Sequence, residues 1–151
     1  MMGNEIQVNH ASGQAVYALI RNAAGQVWHP ASGKFEDWGA DGHTMDDYDL
    51  PLADAGGGLY VGDFPDDIAP GRYTVQAFSR AGADPADDDP LVWAGRIVWT
   101  GTGELTAEKM LGNRAVQDKS TGTIDYYDDD GVTVLLRQTP VDGELTIERS
   151  R

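Results

Sequence analysis

Alternation of apolar and polar residues, with frequent turn signals, dominates the first hundred positions. Gln14 to Ile20 (QAVYALI) reads as a buried strand, ended by the turn residues Asn22-Ala23-Ala24-Gly25. A short hairpin follows, with arms Gln26-Val27-Trp28 and Lys34-Phe35-Glu36 around His29-Pro30-Ala31-Ser32-Gly33. Gly39 to Asp47 reads as an acidic loop leading into a strand near Tyr48-Asp49-Leu50. Pro51 places that strand at an edge, because proline cannot donate to a ladder. Gly56-Gly57-Gly58 breaks the chain again before Leu59 to Phe64.

Pro70-Gly71 turns into a strand in which Tyr73, Val75 and Ala77 alternate with Thr74, Gln76 and Phe78. A tyrosine two residues after Pro-Gly is similar to the tyrosine corner of immunoglobulin-like sandwiches. Leu91 to Thr100 is the last long strand of this half, with Trp93, Ile97 and Trp99 on one face. Six or seven short strands separated by Gly, Pro and Asp turns predict an all-β, immunoglobulin-like antiparallel sandwich over residues 1–101.

The remainder, 102–151, reads differently. Thr106 to Leu111 is the one helix-like stretch, with Thr106 as N-cap and Leu105 packing on Met110 as a staple. Three strands follow at Gly122–Tyr127, Val132–Gln138 and Glu144–Arg149. Ile124 and Tyr126, then Val132, Val134 and Leu136, then Leu145 and Ile147 alternate to form one apolar face. A three-stranded meander buries little by itself. Leu105, Met110, Val132, Val134, Leu136, Leu145 and Ile147 are therefore the candidate interface residues.

Charge changes the picture. The 151 residues carry a net charge of −14. Glu36 to Asp89 holds fourteen acidic residues against Arg72 and Arg80. Such a field repels phosphate backbones and anionic lipid, so nucleic acid and membrane are not expected partners. No apolar run reaches the roughly 18–20 residues of a membrane span, and the N-terminus lacks the features of a signal peptide. Cysteine is absent, which removes disulfides and thiolate chemistry.

Asp128-Asp129-Asp130-Gly131 sits between two apolar-rich arms. No register supplies the ligand positions of an EF-hand, and Asp followed by Gly suits a hairpin bend. Asp128, Asp130, Asp87 and Asp89 are the weak candidates for a calcium site; otherwise no cofactor is expected. His10, His29 and His43 are scattered over loops with no i, i+4 pair; sequence separation leaves a three-histidine site open, but none is expected. Ser12, Ser32, Ser79, Ser120 and Ser150 match no nucleophile elbow, and the expectation is a non-enzymatic protein. Trp28 and Trp38 flank turns; partly exposed, they would be ligand-facing and could stack on a sugar.

Met110 to Pro140 carries Asn113-Arg114-Ala115-Val116-Gln117-Asp118, then Thr121-Gly122-Thr123, then a Tyr127-to-Leu135 hairpin. This segment resembles the C-terminal part of phage and prophage virion proteins, and Leu59 to Phe78 looks like the sandwich module found with such tails. The resemblance covers about half the chain and implies no catalytic residue. It implies a structural protein of the phage particle (tail, baseplate, fibre or head-attached), made in the bacterial cytoplasm. Its partners would be other virion proteins and itself, as a homo-oligomer such as a trimer. The alternative is a carbohydrate- or cell-surface-binding module that recognises a host-surface glycan.

Overall fold

The computed structural model describes residues 3–106, 109, 112 and 114–140. The chain divides into two compact units, 1–105 and 106–151. The first extends to Leu105 because the chain after Gly101 folds back. Glu104 bridges Trp99, and the Leu105 N–H donates to Val98 O at 2.8 Å.

The first unit is built from β1 (Ile6–Asn9), β2 (Val16–Arg21), β3 (Val27–His29), β4 (Lys34–Glu36) and β5 (Leu50–Pro51), followed by four more strands. These are β6 (Ala53–Gly56), β7 (Leu59–Gly62), β8 (Gly71–Ser79) and β9 (Leu91–Trp99). They form two sheets, ordered β1-β7-β6 and β4-β3-β2-β8-β9, with β5 attached to β2. Every pairing is antiparallel.

Between the sheets, Ile6, Val8 and Tyr60 meet Val16, Ala18, Ile20, Val75, Ala77, Ile97 and Trp99 in one core. Trp99 is buried there and its indole N–H donates to Ile68 O at 3.0 Å. Trp93 packs against the same core while remaining partly exposed. The Tyr73 hydroxyl donates to Ala69 O at 2.6 Å, closing the turn that enters β8.

The opposite face of β2 is also covered. Tyr17 and Leu19 pack with Val27, Met45 and Tyr48 in a second core. Met45 and Tyr48 lie on α1 (Met45–Tyr48), a single helical turn where the sequence reading placed loop and then strand. Local chemistry explains the difference. The Thr44 N–H donates to the Asp47 carboxylate at 2.8 Å, and the Met45 N–H donates to Asp87 Oδ1 at 2.9 Å. Two of the orphan amides at the start of the turn are thus satisfied by carboxylates.

In the second unit β10 (Ala115–Gln117), β11 (Ile124–Tyr127) and β12 (Val134–Gln138) form an antiparallel sheet in that order. The expected strand Glu144–Arg149, with Leu145 and Ile147, lies outside the described residues, as does Met110. The expected helix falls mostly on undescribed positions and is not borne out. What is seen is the Lys109 N–H donating to Thr106 Oγ1 at 3.2 Å. The expected alternation of Val132, Val134 and Leu136 along one strand is corrected. Val132 belongs to the turn, and the pairing shifts between Tyr126 and Tyr127, which face Leu136 and Val134. This bulge leaves Leu135 as the buried residue of β12.

Candidate functional site

The expected pair of ligand-facing tryptophans does not form. Trp28 is only 4% exposed, because it lies on β3 in the main core with its ring 5.1 Å edge-on to Phe35. Trp38 is 41% exposed and packs 5.1 Å from Tyr48. The Arg21 guanidinium lies 5.2 Å over the Trp38 ring.

The acidic loops are organised through hydrogen bonds to the chain itself. Asp89, one of the candidates for a calcium site, is buried. Its carboxylate accepts from the Tyr17 hydroxyl at 2.7 Å and from the Ala86 and Ala81 N–H groups at 2.9 and 3.1 Å. The bond from Tyr17 and those backbone donors hold its pKa below the ordinary carboxylate range. Burial and the Asp89 carboxylate push the Tyr17 hydroxyl up. Asp87 is the acceptor at α1 described above.

Asp128 to Gly131 is a bend. The Gly131 N–H donates to Asp128 O at 2.9 Å, and Gly131 has φ 67°. Asp130 accepts from the Val132 and Thr133 N–H groups at 2.8 Å and from the Thr133 hydroxyl. Asp128 pairs with Lys109 Nζ at 3.0 Å.

A different group of side chains converges around Glu36. The turn after β3 reverses at Gly33, whose N–H donates to His29 O at 2.9 Å with φ 64°. That reversal sets Glu36 near the end of β4 beside His29 at the end of β3. Gly39 and Gly42, with φ 78° and 80°, then return the chain so that His43 reaches the same carboxylate. His43 Nδ1 lies 2.6 Å from Glu36 Oε1, and the Tyr48 hydroxyl donates to that oxygen at 2.9 Å. His29 Nδ1 lies 3.5 Å from Glu36 Oε2 and 3.0 Å from Ser32 Oγ. The two imidazole centroids are 4.3 Å apart. His10 is elsewhere, tilted against Tyr60.

Burial alone would raise the Glu36 pKa, but the hydrogen bonds from His43 and Tyr48 and the two imidazoles lower it overall. The bond to Glu36 raises His43 against the opposing effect of burial. Burial and the same carboxylate push Tyr48 up. Among the described residues, His29, Glu36 and His43 are the group whose donor atoms could share a metal ion. Sequence reading missed it because the ligands come from three segments. The available signal was a regular spacing, positions 29, 36 and 43, punctuated by glycines.

The outer face of the larger sheet carries a second feature. Arg21, Thr74 and Arg96 stand side by side across β2, β8 and β9. With Arg72, Tyr73 and Gln76 they border a groove of about 370 Å³. Arg21 is held there by Gln76 Oε1 at 2.8 Å and Gly25 O at 3.0 Å. Three of the five Lys and Arg residues in 1–105 thus face one groove, in a unit with sixteen acidic residues. No protein-family model, curated protein or solved structure matches this chain.

Proposed function

We propose that the chain is a non-enzymatic assembly protein of a phage particle, an immunoglobulin-like body carrying a second unit that binds further copies of itself. Two observations support the immunoglobulin-like reading. With β1 taken as strand B, the sheet orders become B-E-D and G-F-C-C′-C″, the variable-type arrangement without strand A. Tyr73, at the start of the strand then named F, makes the backbone bond of a tyrosine corner. Two departures are that β2, the strand then named C, has no tryptophan, Trp28 lying on β3, and that β5 pairs with β2 without a counterpart in that order.

The observation that carries the assembly reading is the exposed apolar surface of the second unit. Val132 is 78% exposed, Val134 39%, and Val116 is exposed on β10. Val116 and Val134 lie on the small sheet and Val132 on the turn beside it, and exposed apolar side chains of this kind commonly mark an interaction surface. Electrostatics favours this unit over the sandwich as the place where two copies meet. Residues 1–105 carry sixteen acidic and five basic residues, whereas 106–151 carry nine and six. Two copies meeting through their second units therefore face less repulsion than two meeting through their sandwiches. The resemblance of Met110 to Pro140 to virion proteins supports placing that assembly in a phage particle.

Sedimentation of the full chain and of Val134→Lys tests this reading. Self-association should weaken sharply in the variant while its circular dichroism is unchanged. Equal masses for the two proteins would contradict it.

A second reading, attachment to an acidic glycan, is favoured by one observation. Arg21 joins the exposed Trp38 ring to the cationic groove, combining a stacking surface with carboxylate-binding groups. Binding of a uronic-acid oligosaccharide that is lost in Arg96→Ala would establish it; no binding by the wild type would remove it.

A further inference from the structure

We infer that His29, Glu36 and His43 form a binding site for a divalent transition metal of the Zn²⁺ class, which fastens the 37–49 excursion to the β3–β4 hairpin. The donor set is two imidazoles and one carboxylate, whose ligand atoms all lie within 4.8 Å of one another. Mixed nitrogen and oxygen donors suit Zn²⁺, whereas Ca²⁺ and Mg²⁺ take oxygen donors.

The spacing also fits. Two metal–ligand bonds of about 2.1 Å at the tetrahedral angle set their donors about 3.4 Å apart. His29 Nδ1 and Glu36 Oε2 already stand at 3.5 Å. The shorter 2.6 Å contact between His43 and Glu36 is a hydrogen bond. Replacing its shared proton by a metal would lengthen it.

The surroundings hold the ligands in place. Glu36 and His29 are buried, and the Tyr48 hydroxyl, which donates to Glu36, itself accepts from the Gly39 N–H at 3.2 Å. Such outer bonds orient a metal-binding carboxylate. The His43 side chain retains 25% of its exposure, so the solvent side can supply a water as fourth ligand. The three ligands come from the end of β3, the end of β4 and the loop before α1. A metal held by them would tie down the segment that carries Met45 and Tyr48 over the outer face of β2. This role does not depend on the assembly reading.

The test uses the full-length chain stripped with EDTA and titrated with ZnCl₂ by calorimetry, alongside melting curves. One Zn²⁺ per chain should bind and raise the melting temperature. Affinity should fall at least about tenfold in His43→Ala and in Glu36→Gln, and should be unchanged in His10→Ala. Circular dichroism checks that each variant is folded. Should Glu36→Gln fail to fold, His43→Ala, at the most exposed of the three positions, decides. Absence of Zn²⁺ binding by the wild type, undiminished binding by folded His43→Ala, or an equal melting shift with CaCl₂ would each overturn the site.

Discussion

β2 and β12 are both apolar-rich strands paired with neighbours, yet their burial differs. From Val16 to Ile20 every residue of β2 is buried, whereas in β12 only Leu135 is. What separates them is cover. The inner face of β2 meets β1 and β7 across the sandwich, and its outer face is capped by the excursion that ends in α1. Among the described residues, β12 has no comparable layer: Leu135 is the only buried apolar residue of the second unit. A strand's apolar content thus states how much cover it needs, while loops and neighbouring layers decide whether its own unit supplies it.

The largest expected effect that sharpens this comparison is at Trp99. Trp99→Ala removes a buried ring and its bond to Ile68, and should destabilise the first unit by about 3–5 kcal/mol in denaturant unfolding. Val132→Ala, at a residue 78% exposed, should change folding stability by less than about 0.5 kcal/mol. Similar costs at the two sites would break the contrast.

Gly131→Val comes next. It forces a β-branched residue to φ 67°, and should cost about 1–2 kcal/mol, confined to the unfolding of the second unit. Millimolar calcium should change the melting of the wild-type hairpin very little, because Asp130 already accepts from Thr133 and Val132. A rise of many degrees, abolished in Asp130→Ala, would show a cation at the bend.

Tyr73→Phe should cost about 1 kcal/mol through loss of the bond to Ala69, measured by urea unfolding of the first unit. A neutral result would weaken the corner as a fastening of β8.

The smallest effect is a pH dependence. The pKa of Asp89 is depressed in the folded chain, so its contribution is complete above the unfolded value of about 3.9. That contribution is lost as pH falls through the lower, folded value. Asp89→Asn should flatten this acid limb of the stability curve; an unchanged limb would show that other carboxylates produce it.

Much of the sandwich was legible in local patterns. The arms around His29 to Gly33, the alternation from Tyr73 to Ala77 and the run ending at Trp99 announce their strands directly. β1 and β6 were missed although the shorter β3 and β4 were not; β6 is exposed throughout and has no apolar alternation. Each takes its place by pairing with β7, a partner distant in sequence from β1. The burial of Trp28 was missed for a related reason. Its position beside a turn suggested exposure, but the inner face of β3 is covered across the sandwich. Tertiary packing overrode the local cue.

The Glu36 cluster was harder to read for a different reason: positions 29, 36 and 43 lie on two strands and a loop, where a seven-residue spacing does not by itself bring side chains together. Their convergence depends on chain reversals at Gly33 and Gly39, whose outcome only the fold determines. In the second unit the alternation of Val132, Val134 and Leu136 assumed unbroken pairing, which the bulge opposite Tyr126 and Tyr127 interrupts.

The most direct test of the central claim, that the second unit carries self-assembly, is the solution mass of the full chain beside that of residues 1–105 at equal concentration. Light scattering after size exclusion should show a multiple of the 16.3 kDa chain mass for the full chain and a folded monomer for 1–105. A monomeric full chain at high concentration, or a 1–105 fragment that still assembles, would contradict the account.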